Sequence, residues 1–259
     1  MKKSSIVALF PMAVLLLSGC KPDAAVKQGE IVGAGPSVST TAVSPAELGS
    51  VTGTVKIMGK VPKPVKIDMS QDPACALSKE PNLTEQIVAA DGKLSNVFVY
   101  VRNAPAVQVS QKTQQPVTVD QKNCRFTPHV SAVMQGGAVL FTNSDLTMHN
   151  VHTMAVEAGN RTVDVSEGPG MHVDPVKFAT AETMVPLRCN NHPWMSAFIN
   201  VSPTPFFAIT GPSGKFQITG LPQGSYTLVF VHEKLGEQTM PITVKPQQAT
   251  EASAVFNLK

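Results

Sequence analysis

The segment Cys189-Asn190-Asn191-His192-Pro193-Trp194-Met195 places a thiol, an imidazole and a thioether within seven residues. Forty residues upstream, the segment 141–150 (FTNSDLTMHN) contains a second imidazole, that of His149. A short loop between two strands can turn the side chains of Cys189, His192 and Met195 toward one point. A neighbouring strand or loop can then supply His149, so the two segments together predict one cluster of four donor side chains.

The chemistry of these donors favours copper. Thiolate and thioether ligands suit Cu(I), imidazole serves both oxidation states, and a trigonal thiolate–imidazole set with a weak axial thioether is a blue copper site. Structural zinc sites prefer more thiolates and gain little from methionine, so zinc ranks below copper. The alternative without a metal is a buried cysteine, two surface histidines and a core methionine.

Residues 113–202 resemble a cupredoxin. The strand-like segments 116–119 and 139–143 lead into His149-Asn150 in the order found in small blue copper proteins, and the C-x2-H-x2-M loop resembles that of amicyanin-like and pseudoazurin-like members. The resemblance implies a Greek-key β-sandwich in which Asn143 helps to tie the two ligand loops together. It also implies four metal ligands: His149, Cys189, His192 and the axial Met195.

The remaining histidines bear on the number of copper ions. A dinuclear copper centre needs two bridging cysteines near its histidines, and only Cys189 lies near His149 and His192 in the predicted site. A trinuclear copper cluster usually has His-x-His pairs, and this sequence has none. A further three-histidine copper, as in nitrite reductases, is not excluded by counting, although nothing groups the other histidines in the sequence. We therefore predict one type 1 copper per chain and no enzymatic activity, with surface, loop or strand-end positions for His129, His152, His172 and His232.

The amino terminus resembles the signal of a bacterial lipoprotein. Two lysines precede a short apolar run over residues 6–17, which ends in Leu17-Ser18-Gly19-Cys20. Such a run is too short to span a membrane and is typical of a secretory signal. The resemblance implies cleavage of residues 1–19, lipidation of Cys20 and a periplasm-facing anchor, with Lys21 mildly favouring the outer membrane. An ordinary signal peptide with an incidental cysteine is the alternative.

Composition restricts the class of the mature chain. Removal of residues 1–19 leaves 19 basic and 18 acidic residues, a formal charge of +1, and no basic cluster is present, which argues against nucleic-acid binding. Residues 20–48 lack aromatic residues and regular periodicity, which predicts a flexible linker. Short alternating segments such as 52–57, 96–101, 138–142 and 225–231 are separated by glycine turns, so the fold class is predicted to be all-β.

Two cysteines remain, Cys75 and Cys124. In an oxidising compartment a leftover pair is most simply a disulfide, although two separate thiols are an alternative.

The flanking segments resemble parts of one carboxypeptidase-regulatory-like, or transthyretin-like, β-sandwich. Residues 49–57 and 94–102 resemble its opening strands, and residues 208–245, with SGKFQI at 213–218 and GLPQGSYTL at 220–228, resemble its continuation. The resemblance implies a sandwich (49–112 and 203–259) into which the copper domain (113–202) is inserted, with a scaffold or protein-contact role. Two consecutive domains are the alternative.

We expect one-electron transfer to be the function. The resemblance implies that His192 reaches the surface, so an unidentified redox partner would dock near His192 and Trp194. Copper handling (storage, delivery or sensing) is the alternative; it would favour methionine-rich segments, whereas the 11 methionines here are scattered.

Overall fold

The structure is a computed structural model that describes residues 44–77, 80–105 and 115–258. The predicted signal peptide, Cys20 and most of the predicted linker lie outside the described residues. The strands are, in chain order, β1 (Leu48–Met58), β2 (Ala89–Ala90), β3 (Lys93–Leu94), β4 (Phe98–Val101), β5 (Val117–Gln121), β6 (Phe126–Thr127), β7 (Val130–Met134), β8 (Ala138–Asn143), β9 (His149–Thr153), β10 (Asp164–Glu167), β11 (His172–Lys177), β12 (Glu182–Arg188), β13 (Ser196–Ser202), β14 (Phe207–Ile209), β15 (Lys215–Pro222), β16 (Gly224–His232), β17 (Gly236–Val244), β18 (Ala249–Glu251) and β19 (Ala254–Asn257).

Strands from both ends of the described chain build two sheets, here called the flanking sandwich (β1–β4 and β14–β19). One sheet has the order β15-β1-β3-β2, with β18 and β19 also pairing with β1, and the other has the order β14-β4-β16-β17. Alternation of side chains along β1 turns Val51, Val55 and Ile57 inward. Gly53 is needed where residue 252 crosses β1, since a Cβ there would lie 2.0 Å from the Ala252 carbonyl oxygen.

The middle of the chain builds two further sheets, here called the ligand sandwich (β5–β13). Their orders are β10-β9-β12-β13-β7 and β11-β8-β5-β6. The core between them contains fully buried aromatic and aliphatic side chains such as Phe141, Phe178 and Leu187. This pairing places β9 beside β12, which brings the two predicted ligand segments to the same end of one sheet.

The predicted all-β class is confirmed, because strands dominate the described residues and the only α-helix among them is α1 (Pro73–Ala76). The segments predicted from alternation correspond to β1, β4, β8 and β16. No helix in the described ranges is long and apolar enough to cross a membrane.

The predicted domain limits stay predictions, and the one at 112/113 falls in residues 106–114, outside the described part of the chain. Both sandwiches belong to one compact unit. One segment of the predicted 49–112 range, residues 67–77, packs through Met69 and Cys75 into the core of the ligand sandwich. We call this segment the strap.

Candidate metal centre

The loop that carries Cys189 connects the antiparallel strands β12 and β13. Its ends are tied together because the Cys189 N–H donates to the Met195 carbonyl oxygen (3.3 Å) and the Met195 N–H donates to the His192 carbonyl oxygen (2.9 Å). The side chains of Cys189 and Met195 are buried in the core of the ligand sandwich. The predicted short ligand loop between two strands is therefore present.

His149 is the first residue of β9 and is fully buried. The link between its strand and the Cys189 loop is made by the next residue, Asn150. The Asn150 N–H donates to Cys189 Sγ (3.3 Å), and Asn150 Oδ1 accepts a hydrogen bond from the Asn190 N–H (3.2 Å). Asn150 thus holds the thiol in place from the neighbouring strand.

The expectation that Asn143 ties the two ligand loops together is wrong. Asn143 Nδ2 donates to the carbonyl oxygens of Thr147 and Glu167, both at 2.9 Å, and Asn143 Oδ1 accepts from the Asp145 N–H at 3.0 Å. These contacts stay within the loop that leads to His149 and its neighbour β10. The side chain turns back on its own segment, and the hydrogen bonds described for it include none to the Cys189 loop.

Three predicted ligands converge. His149 Nδ1 lies 2.9 Å from His192 Nδ1, and Cys189 Sγ lies 3.7 Å from the same His192 nitrogen. The donor atoms of these three residues all lie within 4.8 Å of one another. Met195, the fourth predicted ligand, is fully buried in the same core. The assignment of these four residues as ligands stays a prediction.

The electrostatics of the cluster suit a cation. Burial raises the pKa of the Cys189 thiol, but hydrogen bonds from His149 and from backbone N–H groups outweigh burial and lower it below its usual value. Burial likewise lowers the pKa of His149, but the Asp145 carboxylate and the Cys189 thiolate outweigh it and raise the pKa to about 9. A thiolate and carboxylates around two imidazoles favour a bound positive charge. The donor set therefore fits a metal ion.

Two carboxylates that the sequence analysis missed hold the far nitrogens of the imidazoles. Asp145 Oδ2 lies 2.9 Å from His149 Nε2, and Asp72 Oδ2 lies 2.9 Å from His192 Nε2. Burial opposes ionisation of Asp72, but hydrogen bonds from His192, Thr147 and two backbone N–H groups outweigh it and lower its pKa to about 2. One signal existed for Asp72: a disulfide between Cys75 and Cys124 would bring the strap to the ligand sandwich.

The expectation that the His192 edge reaches the surface is wrong. His192 is 4% exposed. The strap covers its ring, since Asp72 contacts Nε2 and Cys75 Sγ lies 3.9 Å from the same nitrogen. Trp194 remains half-buried, with its ring centroid 5.0 Å from that of His192 and its indole N–H donating to the Cys124 carbonyl oxygen (3.1 Å).

The disulfide between Cys75 and Cys124 is confirmed. Their Cα atoms lie 5.6 Å apart across 49 residues of sequence. Both cysteines are buried in the core of the ligand sandwich. The bond fastens the strap to the loop that precedes β6.

The remaining histidines lie elsewhere. His129 lies in the loop between β6 and β7, as the loop alternative predicted, but it is not at the surface. Its ring is buried between Phe198 and Glu233, with Nε2 2.5 Å from Glu233 Oε1. His152 is half-buried on β9, His172 is exposed at the start of β11, and His232 is buried at the end of β16. Within the described ranges, the side-chain groups that could hold a metal ion include none of these four histidines.

Comparison with known proteins gives partial likenesses only. No protein-family model matches the chain, and no curated protein matches it. A Cu-containing nitrite reductase from Thermus scotoductus SA-01 is 25% identical over 38% of this chain, with a TM-score of 0.31, and the match spans 25% of that enzyme.

Two smaller proteins are matched over nearly their whole length. An oxidized point mutant of amicyanin is 18% identical over 40% of this chain and 98% of its own, with a TM-score of 0.31. A purple cupredoxin from Nitrosopumilus maritimus is 16% identical over 33% of this chain and 99% of its own, with a TM-score of 0.28.

Proposed function

We propose that this chain is a lipid-anchored, periplasm-facing blue copper protein that transfers single electrons through one mononuclear type 1 site. The observation that carries the proposal is the buried convergence of the thiol of Cys189 and the Nδ1 atoms of His149 and His192 within 4.8 Å. One thiolate and two imidazoles form the trigonal part of a blue copper site, and a thioether is its usual weak axial ligand. Met195, from the same loop, is the proposed axial ligand.

The fixed positions of these side chains support electron transfer. A bound copper ion would supply a couple between Cu(II) and Cu(I) that exchanges one electron. Each imidazole is held at its far nitrogen by a carboxylate, and the thiol is held by the Asn150 N–H. Partners of this kind fix the orientation of ligands and limit their movement. A centre that moves little when its charge changes suits rapid electron exchange.

We further propose that the protein is not an enzyme. His149, Cys189 and His192 are each at most 4% exposed, so a substrate molecule has no direct approach to the three donor atoms. A catalytic metal site needs an open position for water or substrate. Electrons, in contrast, can cross a layer of packed side chains.

A redox partner is proposed to dock at the edge near His192 and Trp194. The strap covers His192 itself, so the half-buried Trp194 and exposed apolar residues nearby would form the contact surface. Leu77 at the end of the strap is 81% exposed, and in the loop before His149 Leu146 is 91% and Met148 55% exposed. An apolar surface of this kind suits brief docking with little charge specificity.

The proposed anchor is a lipid on Cys20 after cleavage of residues 1–19, with the outer membrane mildly preferred because Lys21 follows. Mass spectrometry of the protein from bacterial membranes tests this proposal. The expected result is an amino-terminal peptide that begins at a diacylated Cys20. An amino-terminal peptide that begins elsewhere, or one that begins at an unmodified Cys20, would contradict it.

Electron transfer and copper handling are separated by one experiment on the copper-loaded protein. The protein is reduced and reoxidised repeatedly in the presence of a copper chelator, and retained copper is measured after each cycle. An electron carrier keeps its copper and returns to the same spectrum. Progressive loss of copper to the chelator on reduction would contradict electron transfer and support storage or delivery.

A further inference from the structure

The strap lies across the imidazole edge of His192 and is fastened on both sides of it. Met69 and Cys75 pack into the core of the ligand sandwich, and Cys75 is bonded to Cys124. Between these two anchors, Asp72 precedes α1, and its Oδ1 atom accepts a hydrogen bond from the Ala74 N–H at 2.8 Å. The carboxylate is therefore held at a fixed place next to the metal centre.

The second oxygen of Asp72 faces the proposed ligand. Oδ2 lies 2.9 Å from His192 Nε2 and accepts a hydrogen bond from Thr147 Oγ1, also at 2.9 Å. His192 directs its other nitrogen, Nδ1, at Cys189 and His149. One imidazole thus connects the strap carboxylate to the point where the donor atoms converge.

The other imidazole, that of His149, also has a carboxylate at its outer nitrogen. Asp145 Oδ2 lies 2.9 Å from His149 Nε2, and the N–H groups of Asn123 and Cys124 donate to the two oxygens of Asp145, each at 2.7 Å. Each half of the disulfide therefore lies beside one carboxylate–imidazole pair. The bond between Cys75 and Cys124 holds the two pairs in one assembly.

We propose that Asp72 is a positioning residue of the metal centre, which fixes the His192 ring and favours the more positive oxidation state of the bound ion. The proposal rests on the copper function proposed above. A carboxylate on the outer nitrogen of a ligating histidine sets the orientation of its ring and makes it a better donor. The negative charge also attracts Cu(II) more strongly than Cu(I), because the interaction scales with the charge of the ion.

The test compares Asp72→Asn with Asp68→Asn in the full-length protein. Asparagine at position 72 keeps an oxygen that can accept from the Ala74 N–H but removes the charge beside His192. Asp68 lies in the same strap, and its Oδ1 accepts from the Ser70 N–H at 2.9 Å, so its substitution removes an equal charge away from the ligand. The midpoint potential of the copper form is measured by redox titration. We expect a higher potential for Asp72→Asn than for Asp68→Asn, and equal potentials would overturn the proposal.

Binding of Zn²⁺, which has one oxidation state, separates this inference from the copper function. We expect Asp72→Asn to bind Zn²⁺ about tenfold more weakly than Asp68→Asn, a typical loss for an outer partner of a ligand. Absence of a reversible copper couple in the unmodified protein would refute electron transfer, and Zn²⁺ affinity would still decide the role of Asp72. Equal affinities would overturn that role.

A second variant, Thr147→Val, tests the same role if Asp72→Asn does not fold. Thr147→Val removes the hydroxyl that orients the Asp72 carboxylate but keeps its charge. Weaker Zn²⁺ binding than in Asp68→Asn would support the positioning role, and unchanged binding would overturn it.

Discussion

The two sandwiches bury different kinds of side chain. The flanking sandwich has a large apolar core, with Val51, Leu228 and Phe230 fully buried, and its buried polar side chains include Ser95, Thr210 and His232. The ligand sandwich buries, besides its apolar side chains, the polar residues Gln121, Asn143, His149, Asn150, Glu167 and His192. Buried polar groups cost free energy unless they are hydrogen-bonded. The flanking sandwich is thus held together mainly by packing, whereas the metal centre depends on hydrogen bonds and on the strap disulfide.

The disulfide gives the largest expected effect. We predict that the double variant Cys75→Ser, Cys124→Ser loses about 4 kcal/mol of unfolding free energy, because the bond closes a loop of 49 residues. The only tryptophan, Trp194, lies in the ligand loop, so its fluorescence during urea unfolding reports on the ligand sandwich. A loss of unfolding free energy below about 1 kcal/mol would show that packing alone retains the strap. The ligand sandwich would then not depend on its disulfide, contrary to the difference drawn between the two sandwiches.

We predict that acid destabilises the flanking sandwich through His232, which is buried at the end of β16. Burial lowers the pKa of His232 to about 4; the charge of Glu233 opposes this shift and that of His129 adds to it. The folded state then binds the proton less tightly than the unfolded chain. The unfolding free energy is therefore unaffected by His232 above pH 6.5. It falls as the pH drops from 6.5 toward 4, by up to about 3 kcal/mol.

His232→Asn is the matched variant, because an amide oxygen can replace Nδ1, which accepts from the Lys234 N–H at 3.2 Å. Unfolding free energies at pH 7 and pH 4.5 are compared for both proteins. We expect a smaller acid-induced loss in the variant. Equal losses would assign the acid sensitivity to other groups.

Asn150 tests the hydrogen bonds of the ligand sandwich. Asn150→Ala removes the acceptor for the Asn190 N–H and the donor to Asp164 Oδ1 (2.8 Å), which predicts a loss of about 2 kcal/mol. It also loosens the Cys189 loop, so metal binding weakens. Asn191→Ala, at an exposed position of the same loop, is the control and should change stability little. Equal effects of the two variants in urea unfolding would contradict the role assigned to Asn150.

The smallest effect is expected on the surface of the flanking sandwich. Arg102 Nη2 lies 2.5 Å from Glu237 Oε1, but the two side chains are 48% and 43% exposed. Ion pairs exposed to this degree contribute at most about 1 kcal/mol. Glu237→Gln should therefore shift the thermal midpoint only slightly, and a loss above about 2 kcal/mol would indicate that this sandwich too depends on polar contacts.

The parts of the site that the sequence predicted are those encoded in short segments. The spacing of Cys189, His192 and Met195 is a property of one loop. The structure brings Cys189 and His192 of this loop together with His149. Strand alternation is local as well, so β1, β8 and β16 were predictable. Cysteine counting identified the disulfide because an oxidising compartment leaves few other uses for a spare pair.

The parts that were missed depend on contacts between distant segments. Asp72 meets His192 across 120 residues, and no periodicity encodes such a pair. Contacts between distant segments also bury two histidines. The strap covers the His192 ring, and Glu233 of the flanking sandwich contacts the His129 ring. The one available sign of Asp72 was its position three residues before Cys75, whose predicted disulfide partner, Cys124, lies in the predicted copper domain.

The most direct test of the central claim is the visible absorption spectrum of the Cu(II)-loaded protein, with the metal content measured on the same sample and Cys189→Ala as the control. We predict one copper per chain and an intense blue colour from thiolate-to-copper charge transfer that the control lacks. A protein that binds copper but stays colourless, or keeps the same colour without Cys189, would contradict the claim that Cys189, His149, His192 and Met195 form a type 1 copper site.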